Sequence, residues 1–263
     1  MRDTNTISSL LCNLLLCVLT VTFGSACSLS PNIKGEIDHP ISLHISHLGI
    51  DKSYQPPLRI IQAQDKIIYS YSGMRSPSYF SMFLLEHTII HPGESVLDLG
   101  TGSGIQSIFA ADKASKILST DINEKALEIT RLNAHRNNVA EKVTTRISDI
   151  FNNIKPAEKF DVILSSLPYP YRNKYGNSWK LHERFFANVQ KHLKPGGRIY
   201  FLTGNLNNFV RTREMIEKNN LKIMRLDMAS YIKYNIEMMV YTIQRNEDAL
   251  KQKADYTLPK LDN

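Results

Sequence analysis

Cysteine is scarce in this chain, and its placement excludes several chemistries at once. The 263 residues contain 3 cysteines, Cys12, Cys17 and Cys27, and all of them fall in the first 27 positions. From residue 28 onward there is no disulfide framework, no cysteine-ligated metal centre and no thiol nucleophile. A Ser/His/Asp set is also missing. His182 and Glu183 are adjacent in a helical stretch and read as edge-of-core or solvated groups. His44 and His47 fall on opposite faces of an alternating stretch, which is not how two side chains share a metal. No metal site is expected. There is no internal repeat. Charge is absent from Thr4 to Ile33, where Leu10–Phe23 forms an apolar run broken by Asn13. Such a run is short for a membrane span unless residues 7–27 are taken together. Gly24-Ser25-Ala26 before Cys27 has the form of a small-residue cleavage site, with Cys27 as a lipid acceptor. Residues 1–27 are therefore expected to be a signal peptide or a membrane or lipid anchor, making the protein a membrane-associated lipoprotein. The alternative is a cytoplasmic chain. Lysine plus arginine exceed aspartate plus glutamate by 32 to 25, a net charge of +7. The excess is spread along the chain, which permits an anionic partner without establishing one.

The richest segment is Val96-Leu97-Asp98-Leu99-Gly100-Thr101-Gly102-Ser103-Gly104. A buried apolar strand ends in an acid and then turns through three alternating glycines. Glycines at that spacing let backbone approach a ligand closely and offer N–H groups where side chains would clash. The spacing is Gly-x-Gly-x-Gly, with Ile105 where a dinucleotide fingerprint ends in glycine. A nucleotide-linked oxidoreductase is thus the weaker alternative. Three more strand-like runs also end in polar residues. Lys116–Asp121 closes on an acid, Lys142–Asp149 closes on another, and Phe160–Ser166 runs into Leu167-Pro168-Tyr169-Pro170. Open α/β sheets hold ligands at such carboxyl ends.

These motifs resemble the class I S-adenosylmethionine-dependent methyltransferases over roughly residues 70–245. Within them the chain is most similar to the small-domain group of release-factor glutamine, ribosomal-protein and rRNA guanine methyltransferases. Gly73-Met74-Arg75-Ser76-Pro77 and Ser165-Ser166-Leu167-Pro168-Tyr169 carry the subgroup likeness. The resemblance implies S-adenosyl-L-methionine as cofactor. It implies that Asp98, Gly100, Thr101, Gly102 and Gly104 hold the methionine end, that Asp121 takes the ribose hydroxyls and that Asp149 takes the adenine amino group. Ile122 and Ile150 would flank the adenine. Ser166, Pro168 and Tyr169 would form the catalytic turn, with Ser166 also facing the cofactor. Amino-methylating relatives carry Asn/Asp-Pro-Pro-Tyr there. This chain has Ser166-Leu167-Pro168-Tyr169, so an amide acceptor is replaced by a hydroxyl. The implied activity is N-methylation of a protein side chain or a nucleic-acid base. A membrane-attached S-adenosylmethionine-binding domain with little or no turnover is the alternative. Aromatics and cations after the turn, from Tyr171 to Lys180, suit a base-stacking or phosphate-touching loop.

The expected fold is α/β: a Rossmann-like, seven-stranded, mostly parallel sheet with helices on both faces and a C-terminal antiparallel hairpin. Helices are expected at Pro77–Glu86, Ser103–Ala111, Asn123–Asn137, Trp179–His192 and Leu206–Lys218. Lys194-Pro195-Gly196-Gly197 reads as a stop and turn before a strand at Arg198–Thr203. Closing strands are expected at Leu221–Leu226 and Met238–Gln244. The domain reading is a leader over 1–27, an accessory region of short strands over 28–75, the cofactor-binding domain over 76–245 and a flexible polar tail over 246–263.

Overall fold

Parallel strands joined by helices require both sheet faces to be covered, and the hydrophobic runs of this chain satisfy that requirement twice over. The computed structural model describes residues 32–35, 45–74, 77–168, 178–231 and 236–254. The leader with Cys27, and Tyr169, lie outside the described residues. Among the described residues no helix is long and apolar enough to cross a membrane.

The strands are β1 (Asn32–Gly35), β2 (Ile45–Asp51), β3 (Leu58–Ala63), β4 (Lys66–Tyr71), β5 (Ser95–Leu99), β6 (Lys116–Asp121), β7 (Val143–Ile147), β8 (Phe160–Ser165), β9 (Leu193–Gly204), β10 (Leu221–Tyr231) and β11 (Ile236–Arg245). The helices are α1 (Tyr79–Glu86), α2 (Ile105–Ala110), α3 (Glu124–Arg136), α4 (Ser178–Val189), α5 (Phe209–Lys218) and α6 (Asn246–Ala254). The main sheet runs β1-β10-β11-β9-β8-β5-β6-β7, and β2-β3-β4 form a separate antiparallel sheet. β11 is antiparallel to both β9 and β10, while β5, β6, β7, β8 and β9 are mutually parallel. This is the expected seven-stranded methyltransferase sheet with its closing hairpin. β1 adds an eighth strand at the edge, parallel to β10.

Alternating residues sort into two cores. Val96 packs with Ile105, Ile108 and Met82 on one face, whereas Leu97 and Leu99 pack with Phe185, Phe186 and Phe201 on the other. Chain order reverses at β5: β6 and β7 lie to one side of it and β8 and β9 to the other. That reversal opens a crevice at the carboxyl ends of β5 and β8. At the opposite ends the charges are paired. Lys194 Nζ lies 2.7 Å from Asp161 Oδ2, which also accepts from Ser95 Oγ at 2.7 Å. Arg198 forks onto Glu94 at 2.7 and 2.8 Å.

Two expectations are corrected. Lys194-Pro195-Gly196-Gly197 is not a turn that precedes the strand; it is a bulge inside β9, which already begins at Leu193. Pairing advances from Phe160 to Val162 on β8 while β9 advances from Leu193 to Arg198, and Gly196 takes up the turn with φ +71°. Fully buried Leu193 anchors the near side of the bulge. The polar tail does not start loose. Residues 246–254 form α6, whose Ala249 is 1% exposed and whose Asp248 accepts from Arg245 Nε at 2.9 Å.

Candidate active site

Asp98 sits one residue before the end of β5, on the face covered by α2. Its side chain is buried. Asp98 Oδ2 accepts from Thr101 Oγ1 and from Ser107 Oγ, each at 2.7 Å. Ser107 in turn shares a 2.6 Å hydrogen bond with Ser119 of β6. Burial pushes the Asp98 carboxyl above its usual range. The two hydroxyl donors oppose that push, and the nearby Asp121 charge adds to it.

Asp121 closes β6. Its Oδ2 accepts from the Gly102 N–H at 3.0 Å and its Oδ1 from the Asn123 N–H at 2.9 Å. Each oxygen keeps a free lone pair after those bonds. The glycine loop is pinned from below, since the N–H groups of Gly100 and Thr101 both donate to the Thr120 carbonyl, at 2.8 and 2.9 Å. Gly100, Gly102 and Gly104 have φ of +77°, +56° and +77°. At Gly104 a Cβ would meet Thr130 Cγ2 at 2.8 Å, so only glycine lets α3 pack this close to the loop. At Gly100 a Cβ would point at Leu167 Cδ2, 3.7 Å away. The glycine loop after β5 and the Ser166-Leu167-Pro168 turn after β8 therefore face each other across the crevice. Ser166 is half-buried and Pro168 exposed. Beside them Ser165 Oγ is buried and has no hydrogen-bond partner among the described residues.

Asp149 lies just beyond β7, next to Ser148, whose N–H donates to the Asp121 carbonyl at 2.8 Å. Its Oδ2 is paired with Arg184 of α4 at 2.8 Å, an exposed contact that solvent screens. Ile122 is 69% exposed beside Asp121. Ile150 instead turns inward with φ +52° and packs near Phe151 and Ile154.

The loop and acids are thus neighbours at the ends of adjacent strands. Sequence reading missed their supports, Ser107, Ser119, Asn123, Asn133 and Tyr71. Asn133 left a signal: an amide on the buried stripe of α3 with Ala126 and Thr130 has to be bonded inside the fold. It is, since Asn133 Nδ2 donates to the Ser103 and Tyr69 carbonyls at 2.7 and 2.9 Å and Oδ1 accepts from Tyr69 N–H at 2.8 Å.

The chemistry of the donor set fits a cationic nucleoside. Asp98 and Asp121 feel each other's charge, and among the described residues no cationic side chain pairs with either. A ligand carrying positive charge relieves that repulsion. A vicinal diol suits the two free lone pairs on Asp121.

Residues 67–228 match the family model of the methyltransferase small domain. The chain belongs to this family. It is an S-adenosyl-L-methionine-dependent methyltransferase, which sets aside the oxidoreductase reading. It is 31% identical over 162 residues to a Methanocaldococcus jannaschii protein provisionally named a protein N5-glutamine methyltransferase, covering 56% of this chain and 80% of that one. It is 35% identical over 118 residues to the ribosomal protein L11 methyltransferase of Geobacillus thermodenitrificans, covering 44% of this chain and 33% of that one. The methyltransferase fold is shared with the crystal structure of a tRNA methyltransferase from Methanocaldococcus jannaschii, with a TM-score of 0.57 at 19% identity, over 72% of this chain and 55% of that one.

Proposed function

We propose that this methyltransferase methylates a nitrogen on a protein side chain or a nucleic-acid base. The carrying observation is the crevice itself: two carboxylates that have no cationic partner among the described residues, at the ends of β5 and β6, beside a glycine loop that approaches the β8 turn at Leu167. The bound cofactor supplies a methyl group on a sulfonium, which departs as a neutral thioether. In this reading Asp98 and the N–H groups of the Gly100–Gly104 loop hold the methionine end, Asp121 accepts from the ribose hydroxyls, Asp149 accepts from the adenine amino group, and exposed Ile122 borders the base, while the Ile150 side chain belongs to the core. Ser166 Oγ accepts one hydrogen bond from the acceptor N–H and so aims the nitrogen lone pair at the methyl carbon. Pro168 walls the acceptor, and Tyr169, outside the described residues, keeps only the role that the resemblance implies. When bound, the cofactor would give its methyl carbon to the acceptor nitrogen, and the acceptor's proton would leave to water. Alignment dominates such a displacement, so no strong base is required.

Ser166 offers one rotating hydroxyl where an amide would offer a fixed carbonyl, so the hold on a planar amide is weaker. Names of relatives point to both protein and RNA acceptors. The test is transfer of labelled methyl from S-adenosylmethionine into the protein and RNA fractions of a cell extract, followed by mass spectrometry of the modified atom. Label on nitrogen in either fraction supports the reading. Label on carbon or oxygen, or none with wild-type protein that binds the cofactor, refutes it.

A further inference from the structure

The small sheet β2-β3-β4 has no assigned part in the reaction, yet its last strand is tied to the glycine loop through Asn133 and to Asn123 just past β6. Asn133 of α3 bonds both the Tyr69 backbone of β4 and the Ser103 carbonyl of the glycine loop. Two residues further along β4, the Tyr71 hydroxyl accepts from Asn123 Nδ2 at 2.9 Å. Asn123 is the residue whose backbone N–H donates to Asp121 Oδ1 and whose side-chain Oδ1 caps α3 by accepting from the Lys125 N–H at 3.0 Å. The phenol is thus one residue removed from the Asp121 carboxylate. Burial raises the phenol pKa, the Asn123 bond opposes this, and the Asp121 charge adds to the rise, which places hydroxyl and carboxylate within electrostatic reach.

The hydroxyl accepts from Asn123, so its own hydrogen is left to donate. Among the described residues no acceptor for that hydrogen is present. It is neither deeply buried nor wasted on the core, because Tyr71 is half-exposed at the strand end. Resting on the cofactor reading above, we propose that Tyr71 is a cofactor-contacting residue: its hydroxyl donates to a ribose oxygen whose own hydrogen is held by Asp121. The small sheet then supplies a wall of the ribose pocket, with Asn133 setting its distance from the glycine loop.

The test compares wild type with Tyr71→Phe, which keeps the ring and removes only the hydroxyl. Calorimetry first measures S-adenosylhomocysteine binding. Displacement of that ligand by adenosine and by 2′,3′-dideoxyadenosine is then compared. Tyr71→Phe is expected to weaken adenosine about fivefold, as for one lost neutral hydrogen bond, and to leave dideoxyadenosine unchanged. Equal weakening of both probes, or of neither, overturns the assignment and leaves the cofactor reading standing. Wild-type protein that binds no S-adenosylhomocysteine overturns the cofactor reading, and this assignment with it.

Discussion

Replacing Gly104 by alanine separates two costs that the glycine loop otherwise hides. Gly104 and Gly100 both have φ of +77°, so alanine at either position adopts a left-handed backbone. That conformational cost is about 1–2 kcal/mol. Only at Gly104 does the new Cβ collide, at 2.8 Å from Thr130 Cγ2, 3.0 Å from Thr130 Oγ1 and 3.1 Å from Thr130 Cα. Rotating the side chain relieves the first two contacts but not the third, which is backbone. Forced repacking adds about 1–3 kcal/mol. Gly104→Ala is therefore expected to lose about 2–5 kcal/mol in urea unfolding, and Gly100→Ala about 1–2 kcal/mol. Both variants are measured in parallel with the slope of the unfolding curve held as a check on the denatured state. Equal losses at the two positions refute the close approach of α3 to the loop.

Further outcomes follow from the same geometry. Asn133→Ala removes its hydrogen bonds to the Ser103 carbonyl and to both backbone groups of Tyr69, and is expected to cost about 2–4 kcal/mol in thermal or urea unfolding. A loss under 1 kcal/mol contradicts the bridge. Burial raises the Asp161 carboxyl pKa, but the Lys194 ammonium and the Ser95 donors outweigh it and hold the group at about 2. A folded value below the unfolded one gives stability that is present above about pH 4 and fades as pH falls through about 2. Asp161→Asn is expected to be less stable than wild type at pH 7, with the gap closing between about pH 4 and pH 2. A gap independent of pH would show that the ion pair is not its source.

The parts of the fold that sequence made legible are those where local chemistry and tertiary structure demand the same residues. The Asp98–Gly104 loop needs left-handed backbone, so glycine marks it, and β6 ends at Asp121 as its pattern implies. The start of α3 is legible to within a residue of the expected Asn123–Asn137 helix, whereas the capping role of Asn123 was not read. What stayed hidden depended on long-range pairing. Pro195-Gly196-Gly197 has the composition of a turn, and only the ladder to Phe160 and Val162 keeps it within β9. α6 is polar and buries chiefly Ala249 and Asp248, too little apolar surface to produce a periodic signal. In the site, Asp98, Gly100 and Asp121 were legible as strand-end residues, whereas Tyr71 bonds Asn123, two residues past Asp121, from a sheet that pairs with none of those strands.

The central claim is that Asp98 is kept as a buried, ionisable carboxylate because a cationic ligand needs it. Burial raises its folded pKa above the unfolded value, so the ionised group costs stability at neutral pH and that cost disappears as pH falls below the unfolded value. Asp98→Asn keeps an oxygen to accept from Thr101 and Ser107 while removing the charge. The decisive measurement pairs calorimetric binding of S-adenosylmethionine with unfolding of the ligand-free protein, at pH 7, for wild type and this variant. The account predicts affinity falling by about tenfold or more, as for loss of a charged hydrogen bond, with ligand-free stability equal to or above wild type. Unchanged affinity, or a variant whose weaker binding only mirrors a loss of folding, contradicts it.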